Sequence, residues 1–185
     1  MGAAVQDGTI DLVVFRTGSL GCALRRADIR EILPMPRLWR WPGLPSVIKG
    51  FFNFGGDAVP VLDAEQLFLL GNDAEEAIKG EDGASDDDPE AYLYHHMILL
   101  AGAGRQKVAL LVDRVTDLTQ VPHDSLLSVE AQASLNGCVV AGVEIAGERI
   151  HLLDGQRLLL AEERMALAEL AERARARLKA WEETA

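Results

Sequence analysis

Val47-Ile48-Lys49-Gly50-Phe51-Phe52-Asn53-Phe54-Gly55-Gly56-Asp57-Ala58-Val59-Pro60-Val61-Leu62-Asp63 is the stretch in which the fold class is written. Two apolar runs flank a Gly-Gly-Asp turn, the pattern of a β-hairpin. Pro60 has no backbone donor for a ladder, which predicts an edge position or a strand end. Asp63 suits the N-cap of a short helix, and Gln66 stands three residues on, as a capping box requires. Gly71 is placed to close that helix with a left-handed C-cap. Strand, tight turn, strand and capped helix form a compact module with no catalytic group in it.

Upstream, Ile10 to Arg16 is mostly β-branched and aromatic and predicts a strand, followed by a turn at Gly18 to Gly21 and a short strand at Cys22 to Leu24. Asp28 to Leu33 alternates, which places Ile29, Glu31 and Leu33 on one face and Arg30 and Ile32 on the other. Pro34 and Pro36 end that run, and Met35 to Pro45 is a proline- and arginine-rich loop carrying Trp39 and Trp41. Asn72 to Pro89 holds eight acidic residues against the single Lys79, so self-repulsion predicts a linker there.

Downstream, strands are predicted at His96–Ala101, Lys107–Val112 and Val115–Val121, and a hairpin joins 136–145 to 148–153 through Ala146-Gly147. Many short strands with turn residues between them predict small β-barrels rather than a parallel sheet. Leu160 to Trp181 is rich in Ala, Glu, Arg and Leu and predicts a helix. Its stripe of Leu167, Leu170, Ala174, Leu178 and Trp181 reads as a face docked on the barrels. The expected organisation is a first barrel at 8–71, an acidic linker at 72–92, a second barrel at 93–155 and a C-terminal helix at 156–183, with strands free to cross between barrels.

Composition excludes several classes. A formal net charge of −11 repels nucleic-acid phosphates and anionic lipid surfaces, so neither is expected as a direct partner. Cys22 and Cys138 form no CxxC pair and read as buried free thiols. No basic-then-apolar leader opens the chain and no apolar run approaches the roughly 20 residues of a membrane span, so a cytoplasmic location without membrane insertion is expected. No phosphate-binding loop or nucleophile elbow is present, and neither a cofactor nor a metal is expected. Asp113, Asp117 and Asp154 are the best candidates for an acid/base or metal site, but no histidine accompanies them at ligand spacing, and solvated turn carboxylates are the expectation. His95 and His96 are adjacent on a strand and point to opposite faces.

The hairpin also resembles the signature of the CheW family of bacterial chemotaxis coupling proteins, through Lys49-Gly50, Asn53, Gly56, Pro60 and Asp63 with hydrophobic residues at matching offsets. Further pieces follow in family order. Ile10–Phe15 is similar to the family's first strand, Ile29-Arg30-Glu31-Ile32 to its V-x-E-I segment, Leu111–Leu118 to its V-D-x-V-x-D-V pair, and Ile150–Asp154 with Arg157–Leu159 to its terminal strand. The resemblance implies a mainly β fold of two SH3-like five-stranded barrels packed together. It also implies a non-catalytic adaptor between the cytoplasmic tip of methyl-accepting chemoreceptors and a histidine kinase that carries a similar regulatory barrel, recruited to membrane-associated receptor arrays. Three departures point to a specialised or accessory chemosensory system: Gly55 stands where the family carries an arginine near its receptor-facing groove, segment 72–89 is long, and Trp39 and Trp41 replace smaller residues.

Candidate protein-binding residues are Ile29, Glu31, Trp39, Trp41, Gly50, Asn53 and Gly55. All but Glu31 have a structural alternative: core packing for Ile29, turn or bulge geometry for the glycines, hairpin hydrogen bonding for Asn53, and a lid folded onto the barrel for the tryptophans. Glu31 stands among apolar residues, and Phe51, Phe52 and Phe54 are too many for one thin barrel, so at least one is expected to be exposed. The rivals to the adaptor are a diverged module that binds one partner without kinase coupling, and a small hydrolase using Asp113 or Asp154.

Overall fold

The structure is a computed structural model that describes residues 8–69, 95–101, 107–129, 137–159 and 161–182. The acidic segment 72–89 and the positions of Gly71 and Gly102–Gly104 lie outside them. Ten strands, β1 (Thr9–Thr17), β2 (Leu20–Arg25), β3 (Ile29–Pro34), β4 (Ile48–Phe54), β5 (Asp57–Asp63), β6 (His96–Leu100), β7 (Ala109–Val112), β8 (Arg114–Pro122), β9 (Val139–Ile145) and β10 (Glu148–Leu153), are joined by two α-helices, α1 (Ala64–Leu69) and α2 (Ala161–Glu182).

The strands form two five-stranded sheets with one plan, ordered β8-β1-β2-β10-β9 and β3-β6-β7-β5-β4. In each, a hairpin (β9–β10 or β4–β5) adds in parallel to the second strand of an antiparallel pair. The segment after the first edge strand then bonds to the far edge, Leu127 to Gly142 in one sheet and Trp39 to Phe51 in the other. That bridge turns each sheet into a barrel and removes its open edge. In chain order one barrel runs β3 to β7, while the other begins with β1 and β2 and is completed by β8, β9 and β10. The stretches 8–71 and 93–155 therefore each feed both barrels.

Near-continuous apolar runs such as Leu12-Val13-Val14-Phe15 and Met97-Ile98-Leu99-Leu100 have their cause here. Alternate residues serve different cores, because the strands are buried on both faces. Leu12 and Val14 join Val143, Ile150 and Leu152 in a cluster private to the first barrel. Met97 and Leu99 join Phe52, Val59 and Val61 in one private to the second. Val13, Phe15, Ile98 and Leu100 meet in a third cluster that spans both barrels and reaches α1 and α2. This double burial leaves none of the three hairpin phenylalanines exposed: Phe51 and Phe52 are buried and Phe54 half-buried.

Two local expectations change. Pro60 lies inside β5, not at its end. Opposite it, Phe51 exchanges both backbone hydrogen bonds with Trp39 at 2.9 Å, so Phe51 turns its polar groups away from β5 and asks Pro60 for no donor. Pairing of β5 with β7 starts only at Val61, so the other side needs none either. In β3, a bulge between Ile29 and Glu31 shifts the alternation. Ile29 and Ile32 consequently share the joint core, whereas Glu31 and Leu33 sit opposite Leu99 and Met97. Glu31 is exposed, so no buried carboxylate has to be balanced.

Candidate interaction surface

The β4–β5 hairpin builds the surface. Its two-residue turn, Gly55-Gly56, has φ of 62° and 89°, the left-handed pair that a type I′ turn needs. The Oδ1 of Asn53 accepts the Gly56 N–H at 2.8 Å, so this side chain serves the turn while standing exposed beside it. Asp63 Oδ1 accepts the Gln66 N–H at 3.2 Å, the expected N-cap of α1. Its other oxygen pairs with Lys49 at 3.1 Å.

The loop 35–45 lies along the outer edge of β4 as a strap. Trp41 stacks on Phe51 with ring centroids 4.8 Å apart and planes 12° from parallel, and Trp39 does so at 6.4 Å. Both indoles are half-buried in the joint core, which is the lid arrangement. Gly50 is explained by the same strap: a Cβ there would stand 2.8 Å from the Trp39 carbonyl oxygen. The close approach is made by this chain's own backbone.

Of the sequence candidates, Glu31, Asn53 and Gly55 reach solvent, Trp39 and Trp41 are half-buried, and Ile29 and Gly50 are buried. Ile29 is held at the start of β3, where its carbonyl accepts from Arg26 Nη1 at 2.8 Å. The hairpin tip gains a feature that the sequence did not announce. Arg30 and Lys107 lie over the Phe54 ring at 5.6 and 5.3 Å, from strand β3 and from the residues before β7. Lys107 also bonds Asp57 at 2.6 Å. The bonds from Lys107 and Arg175 hold the Asp57 carboxyl below its ordinary pKa, the Lys107 hydrogen bond contributing most.

Helix α2 completes the face. Leu167 and Ala174 are buried, Leu170 and Ala171 pack beside them, and Arg177 covers the outer face of Trp41 at 4.9 Å. Trp41 is thus stacked between Phe51 and Arg177. Of the predicted docking stripe, Leu167, Leu170 and Ala174 meet the joint core and Leu178 is half-buried; α2 begins at Ala161 after a turn that follows β10. The side chain of Trp181 is outside the described ones.

Where the barrels meet, Arg16, Gly18, His95, His96, Asp113, Arg114 and Val115 line a crevice of about 590 Å³. Arg16, Asp113 and Arg114 bring charges into its lining. Asp113 pins the crossing point, accepting the Gly18 N–H at 2.9 Å and lying 3.7 Å from His95 Nε2. Glu65 on α1 packs against the same Gly18, and its pKa is raised by burial first and then by Asp113 and Asp63. Of the other acidic candidates, Asp154 holds a turn by accepting the Gln156 N–H, whereas Asp117 lies within β8 rather than at the expected turn and accepts the N–H of its neighbour Leu118. Cys22 and Cys138 are free and buried, and burial pushes their thiols up to about 12 and about 11. No helix is long and apolar enough to cross a membrane among the described residues.

The family model for the CheW-like domain matches residues 11–163. A probable chemotaxis protein CheW of Rhizobium etli is 26% identical over 121 residues, covering 65% of this chain and 67% of that protein. The chemotaxis protein CheW of Klebsiella aerogenes is 23% identical over 160 residues, covering 86% of each. The crystal structure of the scaffolding protein TtCheW from Thermoanaerobacter tengcongensis superposes with a TM-score of 0.66 at 19% identity, over 88% of this chain and 96% of that one.

Proposed function

The chain belongs to the CheW-like domain family, and from that premise we propose that it is a non-catalytic adaptor coupling chemoreceptors to a histidine kinase in chemotaxis-type signal transduction. The continuous match over residues 11–163, which takes in both barrels, carries this reading. An adaptor needs separate faces for separate partners, and two barrels of one plan with different side chains offer them. Its output comes from simultaneous engagement, which raises effective concentration without any new contact.

On the receptor side, Glu31, Asn53 and Gly55 meet the helical tip, with Ile29 and Gly50 shaping the strands beneath. Trp39 and Trp41 anchor a contact on the neighbouring face, since aromatic residues with an adjacent arginine are the usual energetic centres of interfaces. The kinase contributes its regulatory barrel domain. The working location is the cytoplasm, at membrane-associated receptor arrays, and the departures at Gly55 and Trp39/Trp41 fit an accessory chemosensory system.

Titration against the regulatory barrel of the kinase from the same genome tests the proposal, with micromolar or tighter binding expected. Gly55→Arg sharpens the receptor side. The space around Gly55 is open and its φ is 62°, so arginine there costs about 1–2 kcal/mol of turn strain without a clash. Its affinity for the receptor tip should change while kinase affinity stays; an unchanged receptor affinity removes Gly55 from the surface. One observation favours a second reading, that of a module binding a single partner: α2 lies almost wholly beyond the matched residues and covers Trp41. Binding to one of the two partners alone, by a folded chain, would select it.

A further inference from the structure

Helix α2 is attached to the second barrel in an unusual way. It is 22 residues long and begins where the family match ends. Among its described side chains only Leu167 and Ala174 are buried, while Met165 is 70% exposed. Under its middle, Ala168 and Ala171 face Ala58 and Val59 across a cavity of about 220 Å³, so small side chains meet where a larger one would fit. Charge adds to the packing of Leu167, Leu170 and Ala174: Arg175 Nη2 donates to Asp57 Oδ1 at 2.8 Å, and Arg177 lies over Trp41.

Apart from the joint core, into which Leu167 and Ala174 pack, the barrel holds its side of this seat by itself. Val59 belongs to the private core of the barrel, Trp41 is stacked on Phe51, and Asp57 keeps Lys107 on its other oxygen at 2.6 Å. Removal of α2 therefore uncovers a preformed apolar shelf (Ala58, Val59), an acceptor still able to take a guanidinium (Asp57), and an aromatic face that attracts a cation. We propose that this shelf is a helix-docking seat and that α2 is its displaceable occupant, a built-in competitor for a partner's helix. The chemistry of that partner follows from what the seat holds: a leucine, small residues one and two turns on, and an arginine next to the last of them, as in Leu167, Ala171, Ala174 and Arg175. Effective concentration favours the tethered helix, so a partner must bind more tightly or arrive tethered itself.

The inference goes beyond the coupling role, and its test needs neither kinase nor receptor. The probe is a fluorescein-labelled peptide of residues 161–182, titrated by anisotropy against the full-length chain. Arg175→Glu with Arg177→Glu should free the internal helix. The peptide should then bind at least 10-fold more tightly than to the unaltered chain, and amide exchange of 161–182 should accelerate while β4 and β5 stay protected. Adding Asp57→Arg should abolish peptide binding. The exchange Asp57→Arg/Arg175→Glu should restore protection of α2. Unchanged exchange in the double variant, or binding indifferent to the charge at position 57, overturns the proposal. So does a double variant that fails to fold, because α2 would then be an obligatory part of the barrel.

Discussion

The hairpins β4–β5 and β9–β10 are the same device used twice. They carry an identical burial pattern along the first strand, buried–half–buried–buried–buried–exposed–half. Each has a two-residue left-handed turn, Gly55-Gly56 or Ala146-Gly147. Each has a register shift near its base, which sets Gly50 opposite Val61 and Ala141 opposite Leu152. Counted from the turn, Phe51 corresponds to Gly142, and each bonds the strap that closes its barrel. The difference lies in what stands on that bridge. In the second barrel it is Trp39 on Phe51, flanked by Trp41 and covered by α2. In the first it is Leu127 on a glycine, and Leu127 stays 49% exposed with Leu118 at 65%. Backbone plan and surface chemistry are therefore separable: hydrogen-bond geometry repeats, while a few side chains make one face aromatic and covered and leave the other aliphatic and open.

The largest expected effect tests whether the aromatic bridge carries stability that its counterpart lacks. Phe51→Ala should cost about 3–5 kcal/mol in a denaturant melt, as for other fully buried phenylalanines. Leu127→Ala should cost less than about 1 kcal/mol because half of the side chain already meets water. Similar costs at the two sites would erase the distinction. Next comes the strap itself. Gly50→Ala places a methyl against the Trp39 carbonyl and should cost about 1–3 kcal/mol, with a red shift of tryptophan emission as the strap lifts. The corresponding Ala141 already carries a Cβ, and Ala141→Gly should cost only about 0.5–1 kcal/mol.

A smaller contrast is expected where each hairpin ends in aspartate. Asp63 caps a helix and pairs with Lys49, whereas Asp154 holds a turn. Asp63→Ala should cost about 1 kcal/mol, and Asp154→Ala measurably less. The smallest effect is on pH dependence. The residue of β10 that corresponds to Pro60 is His151, whose pKa is lowered from 6.5 by burial and then by Arg149. The folded state binds this proton less readily than the unfolded one, so stability should fall as pH drops below 6.5. Melts at pH 7.5 and 5.5 should show a gap that narrows in His151→Gln; an unchanged gap would place the pH sensitivity elsewhere.

Much of the fold was legible locally. Alternation, Gly-Gly and Ala-Gly turns and the Asp63 cap locate both hairpins and α1, because each depends on residues within a few positions of one another. The helical stripe of Leu167, Leu170 and Ala174 announces a docked α2. Within the candidate surface, Asn53 and Gly55 could be placed at the turn from spacing alone. The bulge after Ile29 could not, because the offset is set by pairing with β6, some seventy residues on. The burial of Phe51 and Phe52 was hidden for a related reason. A hairpin looks two-faced until a strap and a distant helix cover its second face.

The sequence by itself determined where strands, turns and caps fall, since those follow from side-chain period, positive φ and local hydrogen bonding. It also carried the family signature. Only the tertiary structure decided which strands share a barrel, with β1 and β2 completed by β8, β9 and β10, and which charges meet, as Arg175 meets Asp57. These partners are brought together by burying apolar faces in common cores. That driving force is proportional to area and has no direction along the chain, so no local pattern records which distant residues it will bring into contact.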